Sequence, residues 1–209
     1  NNINVSEEEL LEFIVNKVQD EIPSVNYQGS GNLIPVGGGK DSNVTLEILN
    51  GQDNTCFAIN PREIHEKCIS VAGYNDYFKV RRTLDKNMLE LNKQGFLNGH
   101  TPFSSLVAFV SYLCAYLANK KYIVLSNEAS ANESTIIGTK INHQYSKTYE
   151  FENDFNEYTK KYFKIDVKYF SLLRPLTEYQ IAMLFSNYSK YHQIFKSCNV
   201  GSKNIPWIW

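Results

Sequence analysis

The residues with the clearest chemical potential form a glycine-rich turn near the start of the chain, Gly37-Gly38-Gly39-Lys40-Asp41-Ser42. An apolar run over residues 33–36 precedes the turn and a helical pattern over residues 43–50 follows it. Glycines let the backbone approach a ligand without side-chain clashes, and amides at a helix N-terminus attract anions. We therefore predict a phosphate site at this strand-turn-helix junction.

Two familiar nucleotide loops do not fit the spacing of this turn. A Walker A loop requires Ser or Thr directly after its lysine, whereas Lys40 is followed by Asp41. A Rossmann fingerprint counted from Gly37 requires glycine at the position that Ser42 occupies. An ordinary glycine-rich turn between a strand and a helix stays open as the alternative without a ligand.

The elements that must position this turn alternate along the chain. Helices are predicted over residues 7–18, 43–50, 62–72, 101–119, 151–163 and 177–185, and strands over residues 33–36, 55–59, 77–84, 122–125 and 168–171. This rhythm predicts an α/β fold with a mostly parallel sheet and helices on both faces. Ligands of such sheets bind at the carboxyl ends of the strands.

The composition is that of a globular protein with one main core. The chain has 209 residues, of which 43% are hydrophobic and 21% charged. A net charge of −1 without a long Lys/Arg run gives no support for nucleic-acid binding. The four cysteines include no C-x-x-C pair, and Cys68 and Cys114 lie in apolar surroundings. We therefore predict buried free thiols and a cytoplasmic location.

The longest apolar segment, residues 102–118, invites comparison with a membrane span. Its length is at the lower limit for spanning a bilayer, and it contains Ser104, Ser105 and Ser111. We predict a buried core helix instead, with Thr101 as its N-cap and Pro102 as its first residue.

Polar residues directly after the predicted strands are the next candidates for a site. Asn60 follows the second strand, where a ligand's adenine or ribose would lie, although a structural turn explains it equally well. Residues 126–133 follow the fourth strand and include the carboxylates Glu128 and Glu133. His100 precedes the core helix, whose N-terminus favours a neutral imidazole and an anionic ligand, with a structural histidine as the alternative.

With these motifs in order, the chain resembles the muramoyl-dipeptide epimerase family of the ATP pyrophosphatase, or PP-loop, superfamily. The superfamily loop reads Ser-Gly-Gly-x-Asp-Ser, and Gly37 stands in place of its first serine. The resemblance covers about residues 30–209 and also rests on residues 98–104 and 126–133. It implies an adenine nucleotide alpha hydrolase-like fold and ATP-dependent inversion of the terminal L-glutamate of UDP-N-acetylmuramoyl-L-alanyl-L-glutamate in peptidoglycan precursor synthesis, with release of AMP and pyrophosphate.

The resemblance also implies roles for individual residues. ATP would be bound by Gly37, Gly38, Gly39, Lys40, Asp41, Ser42 and Asn60, and Asp41 would also lie near Mg²⁺. The catalytic candidates are His100, Glu128, Glu133 and Asp41. The substrate candidates are Ser126, Asn127, Ser130, Asn132 and Arg174, while Lys140 and His143 would meet the substrate phosphates.

Members of that family are longer, and a cysteine cluster is expected beyond Trp209. Cys198 would then be one ligand of a Zn²⁺ site that is incomplete in this chain. Residues 1–28 would be the remnant of a longer N-terminal region, and residues 29–209 the ATP-binding domain, cut off before the cysteine cluster. The expected partner is the small-molecule substrate, without nucleic acid or membrane, and a homodimer is left open.

Two other functions remain as alternatives. One is another PP-loop enzyme, similar to 7-cyano-7-deazaguanine synthase or to a tRNA-thiolation enzyme, although the chain has neither a C-x-x-C pair nor a basic surface for tRNA. The other is a nucleotide-binding module without catalysis, which Gly37 in place of serine would favour.

Overall fold

A parallel five-stranded sheet organises the part of the chain that the computed structural model describes, which is residue 14 and residues 25–96, 102–136, 138–139, 141–142 and 144–197. Its strands are β1 (Asn32–Pro35), β2 (Asn54–Ile59), β3 (Tyr77–Val80), β4 (Tyr122–Leu125) and β5 (Lys168–Ser171). They lie in the order β3-β2-β1-β4-β5, and each neighbouring pair is parallel. The predicted α/β fold with a mostly parallel sheet is confirmed.

The described helices are α1 (Lys40–Ile48), α2 (Glu63–Val71), α3 (Lys86–Lys93), α4 (Phe103–Leu117), α5 (Tyr149–Tyr162) and α6 (Glu178–Ser186). Short 3-10 turns lie at Ala129–Asn132, Tyr145–Lys147 and Ser189–Tyr191. Helix α3 was not predicted; it has only eight residues, five of them polar, and it buries none of its side chains. The helix predicted over residues 7–18 lies outside the described residues, apart from Ile14.

Neighbouring side chains along each central strand enter different cores. Leu33 packs in a cluster with residues of α4 and α5, whereas Ile34 packs in a cluster with residues of α1, α2 and α6. Ile123 and Val124 in β4 repeat this alternation. Strands that are buried on both faces read as continuous apolar runs, which is the pattern of the sequence. The prediction of helices on both faces is confirmed.

The edge strand β3 is shorter than predicted, and the prediction of strand over residues 81–84 was wrong. The side chain of Asn60 donates a hydrogen bond to the Arg82 carbonyl at 2.8 Å and accepts one from the Arg82 N–H at 2.7 Å. This side chain replaces the ladder that a longer pair of strands would form. Asn60 has a φ of 46°, in the left-handed region that asparagine tolerates better than most residues.

Helix α4 packs in the core as predicted, but through one face only, and its other face is exposed. Ala108, Tyr112 and Ala115 are buried, whereas Leu113 and Leu117 are 57% and 64% exposed. The N-cap of α4 is Pro102, one residue later than predicted, and Thr101 lies outside the described residues. Within the described part of the chain, no helix is long and apolar enough to cross a membrane.

Three cysteines, Cys56, Cys68 and Cys114, are buried and form no disulfide, as predicted for Cys68 and Cys114. Burial raises the pKa of the Cys56 thiol to about 12 and that of Cys68 to about 11. Both thiols are therefore protonated near neutral pH and serve as small core side chains.

Candidate functional site

The two best sequence motifs meet where the strand order reverses. The glycine turn follows β1, the polar residues 126–133 follow β4, and β1 and β4 are neighbours in the sheet. The hydroxyls of Thr45 in α1 and Ser126 after β4 lie 2.8 Å apart, which joins the two segments. Open parallel sheets bind ligands in the crevice at such a switch point, outside the carboxyl ends of the strands.

The three glycines of the turn have different structural requirements. Gly38 has a φ of +78°, and a Cβ on it would lie 2.8 Å from Cγ1 of Ile64 in α2. A Cβ on Gly37 would meet nothing within 4 Å. Position 38 therefore requires glycine for backbone conformation and packing, whereas position 37 has room for the serine of the PP-loop pattern.

The last described residues lie across the glycine turn. The N–H of Lys40, the first of helix α1, donates a hydrogen bond to the Ser197 hydroxyl at 3.0 Å. The N–H of Lys196 donates to the carbonyl of Gly38, also at 3.0 Å. A Cβ on Gly39 would lie 3.3 Å from the Ser197 hydroxyl oxygen. Part of the space that the glycines leave open is thus filled by Lys196 and Ser197 of the same chain.

A small charged cluster borders the turn. The ammonium of Lys40 lies 2.5 Å from Asp41 Oδ1 and 2.8 Å from Glu178 Oε1. Burial lowers the pKa of Lys40, but the hydrogen bonds and negative charges of Asp41 and Glu178 outweigh that effect and raise it overall. Sequence reasoning did not select Glu178, since an acidic residue in the first turn of a helix has an ordinary explanation in the helix dipole.

The carboxyl group of Glu128 stands in an unusual environment. Its Oε1 accepts a hydrogen bond from the Ser130 hydroxyl at 2.7 Å, and its Oε2 is buried without a hydrogen-bond donor among the described residues. Burial raises the pKa of Glu128. The negative charges of Glu178 and Asp41 raise it further, whereas the hydrogen bond from Ser130 lowers it. The hydrogen bond from Lys40 instead lowers the pKa of Glu178. Glu128 therefore retains a proton more readily than its neighbour Glu178, a difference typical of acid–base sites.

Two predicted substrate residues are occupied by contacts within the protein. The guanidinium of Arg174, with its side chain 16% exposed, forms an ion pair with the buried Glu152 of α5. It also donates to the carbonyls of Lys147 at 2.9 Å and Glu128 at 3.3 Å. The Asn127 amide donates to the Ser171 hydroxyl at 3.0 Å, and that hydroxyl donates to Glu152. Arg174 and Asn127 thus hold the loop after β4 in place.

The remaining predicted site residues are more dispersed. Asn132 accepts a hydrogen bond from the Tyr149 N–H at the start of α5, at 2.9 Å. Ser130 and Glu133 border a polar cavity of 360 Å³ next to Glu128. His100, Lys140, His143 and Cys198 lie outside the described residues. Among the residues that are described, no three His, Cys, Asp or Glu side chains are grouped to hold a metal ion.

A parallel sheet with helices on both faces and polar loops at its switch point defines a doubly wound α/β domain. Residues 1–172 match the family model of the MurL N-terminal domain, and the chain belongs to this family. This confirms the family that the sequence motifs predicted.

Three curated relatives carry the name UDP-N-acetyl-alpha-D-muramoyl-L-alanyl-L-glutamate epimerase. The protein of Xanthomonas oryzae pv. oryzae is 38% identical over 171 residues, which are 80% of this chain and 38% of the relative. That of Salinispora tropica is 36% identical, over 87% of this chain and 41% of the relative. That of a Micromonospora species is 34% identical, over 87% of this chain and 42% of the relative. The chain thus spans about two fifths of the length of these relatives.

Among solved structures, the chain is similar to the U34-tRNA thiolase NcsA from Methanococcus maripaludis. The TM-score is 0.49 and the sequence identity 14%, over 83% of this chain and 61% of that chain. A likeness of this size bears on neither activity nor ligand.

Proposed function

We propose that the protein carrying this chain inverts the terminal L-glutamate of UDP-N-acetylmuramoyl-L-alanyl-L-glutamate, with ATP as co-substrate, in cytoplasmic peptidoglycan precursor synthesis. The names of the three relatives support this substrate and reaction. One observation carries the proposal: the glycine turn after β1 and residues 126–133 after β4 lie side by side at the switch point of the sheet. One segment would hold ATP and the other would act on the glutamate.

The glycine turn fits a phosphate group. The Lys40 N–H already has an oxygen ligand at hydrogen-bonding distance in the Ser197 hydroxyl, and the space around Gly37 is open. Backbone amides at the start of a helix are suited to phosphate oxygens. In our proposal Gly37, Gly38, Gly39 and Ser42 surround the pyrophosphate part of ATP, Lys40 adds positive charge, and Asn60 lies beneath the nucleoside.

Asp41 fits the role of a Mg²⁺ ligand. Its side chain is 38% exposed in the first turn of α1, beside the proposed phosphate site. Mg²⁺ bound with nucleotides commonly takes only one or two protein carboxylates, since phosphates and water supply its other ligands. When bound, the ion would neutralise negative charge on the phosphates.

ATP overcomes the low acidity of the glutamate α-carbon. Removal of the α-proton beside a free carboxylate would create a dianion, whereas an acyl-adenylate carries no charge at that carbonyl. The α-carboxylate oxygen would attack the α-phosphorus and release pyrophosphate. A base would then take the α-proton from one face, and an acid would return a proton to the other. Water would finally cleave the acyl-adenylate into AMP and the D-glutamyl product.

The candidates for proton transfer remain His100, Glu128 and Glu133. Glu128 suits the acid role, because its raised pKa favours the protonated form that donates. Glu178 and Lys40 would help to maintain this state, since Lys40 keeps Glu178 ionised beside Glu128.

The first test uses the intact protein with ATP and Mg²⁺, with and without UDP-N-acetylmuramoyl-L-alanyl-L-glutamate. We expect AMP and pyrophosphate only when the dipeptide substrate is present, and D-glutamate in the hydrolysed product by chiral chromatography. AMP formation that ignores the substrate would contradict the proposed acceptor. The absence of AMP under all conditions would contradict the role of ATP.

A matched pair of substitutions tests the turn. Asp41→Asn should abolish AMP formation, because it removes the carboxylate assigned to Mg²⁺. Asp76→Asn serves as the control, since Asp76 lies before β3 at the amino end of the sheet and accepts a hydrogen bond from the Tyr77 N–H that asparagine can also accept. Unchanged AMP release by the Asp41 variant would contradict the proposed role of the turn.

A further inference from the structure

The 360 Å³ cavity beside Glu128 is bordered by the loop after β4 and by Asn142, Gln144 and Lys147. Its charged and polar lining includes Glu128, Ser130, Glu133, Asn142, Gln144 and Lys147. Its volume is at the lower end of the range for ligand pockets, about 300–1,000 Å³. It therefore suits one end of a large substrate.

The amides of the cavity are engaged in building its wall. Asn142 donates to the carbonyls of Ala131 at 3.0 Å and Glu133 at 2.8 Å. Gln144 donates to the Ser104 hydroxyl at 3.0 Å, which fastens the wall to helix α4. These contacts give the cavity a defined shape and leave its charged side chains as the groups that would select a ligand.

Besides Glu128, the charged groups of this lining are Lys147 and Glu133. Within the described part of the chain, neither the Lys147 ammonium nor the Glu133 carboxylate forms an ion pair or a hydrogen bond. The backbone of Lys147 is nevertheless held, because its carbonyl accepts a hydrogen bond from Arg174, the partner of Glu152. A complementary ligand brings a negative group for Lys147 and an N–H group for Glu133.

The carboxyl-terminal glutamate of a peptide carries both groups. Its peptide N–H is a donor, and its side-chain carboxylate stays free when the α-carboxylate is activated. We propose that this cavity binds the terminal glutamyl residue of the acceptor, with Lys147 pairing its side-chain carboxylate and Glu133 accepting its N–H. The assignment rests on the proposed function, and it makes Glu133 a binding group while Glu128 faces the reacting carbon.

The experiment measures binding to the intact protein by calorimetry, without ATP. Two ligands are compared: UDP-N-acetylmuramoyl-L-alanyl-L-glutamate and the same molecule ending in L-glutamine. We expect Lys147→Met to weaken binding of the glutamate ligand about tenfold to hundredfold, since a hydrogen bond between charged groups is lost. The affinity for the glutamine ligand should be unchanged, and Lys147→Arg should retain the preference for glutamate.

Lys121→Met is the control, because Lys121 pairs with Asp166 at the amino end of β4, away from the cavity. Equal weakening of both ligands by Lys147→Met, or no weakening of the glutamate ligand, would overturn the assignment, as would an absence of binding to the wild-type protein. Binding that depends on Lys147 without AMP formation would refute the proposed reaction and leave the glutamyl site standing.

Discussion

The two loops that meet at the switch point are built in opposite ways. The turn after β1 is a backbone structure, in which Gly38 packs on Ile64 and the first amide of α1 points at an oxygen ligand. The loop after β4 is held by side chains, with Arg174 bound to Glu152 and to the Glu128 carbonyl. A backbone site requires little beyond glycine, whereas a side-chain site depends on distant partners.

Because of this difference, substitutions in the two loops should destabilise the fold to different extents. The glycine turn is sensitive only where φ and close contact exclude a Cβ. Glu152 is buried and the Arg174 side chain is only 16% exposed, so the loss of one partner leaves an uncompensated charge in a poorly solvated place. We therefore expect the β4 loop to respond to substitution more strongly than the turn.

The largest effect should come from Glu152→Ala. This change leaves Arg174 buried and unpaired, and we expect the free energy of unfolding to fall by about 3–5 kcal/mol in urea titrations. Glu150→Ala, at an exposed position in the first turn of α5, is the control. A loss below about 1 kcal/mol would mean that the pair behaves as a surface salt bridge. The loop after β4 would then be no more sensitive to substitution than the glycine turn.

Gly38→Ala should have the next largest effect. Alanine at a φ of +78° costs about 1–2 kcal/mol, and its Cβ would also press on Ile64. Gly37→Ser is the matched variant at the neighbouring position with open space, and its thermal unfolding temperature should stay at the wild-type value. Equal destabilisation by both changes would contradict the packing that distinguishes the two glycines.

Ser197→Ala tests the contact between the turn and the last described residues. Loss of the hydroxyl that accepts the Lys40 N–H should cost about 0.5–1 kcal/mol. Hydrogen exchange at the Lys40 amide, followed by NMR, should become faster. Ser189→Ala, in a 3-10 turn of the same region, should leave that exchange unchanged. Unaltered exchange in the Ser197 variant would show that the contact does not protect the amide.

The smallest effect concerns pH. Lys40 lowers the folded-state pKa of Glu178, so this pair stabilises the fold above the unfolded value of about 4.3 and loses that contribution as pH falls through the folded value. Since Glu178 is 62% exposed, the pair contributes less than about 1 kcal/mol. The stability difference between wild type and Lys40→Met, measured in urea, should therefore narrow from pH 7 to pH 3. A constant difference would contradict this account.

The elements whose signals are local could be predicted from the sequence alone. Short apolar runs between helical patterns predicted all five strands. Strand β3 nevertheless ends at Val80, because the side chain of Asn60 forms hydrogen bonds with the backbone of Arg82. The glycine turn could be identified because its chemistry lies in consecutive residues. Together with residues 98–104 and 126–133, it also indicated the family.

Which polar side chains are engaged within the fold could be read only from the tertiary structure. Arg174 and Asn127 looked available in the sequence, yet the folded chain engages them with Glu152 and Ser171. Glu178 and Lys147 had no signal in the sequence, since a charged residue in a helix or short turn is ordinarily a solvated one. Their environments depend on contacts between residues far apart in the chain, because hydrogen bonding and burial are properties of neighbours in space.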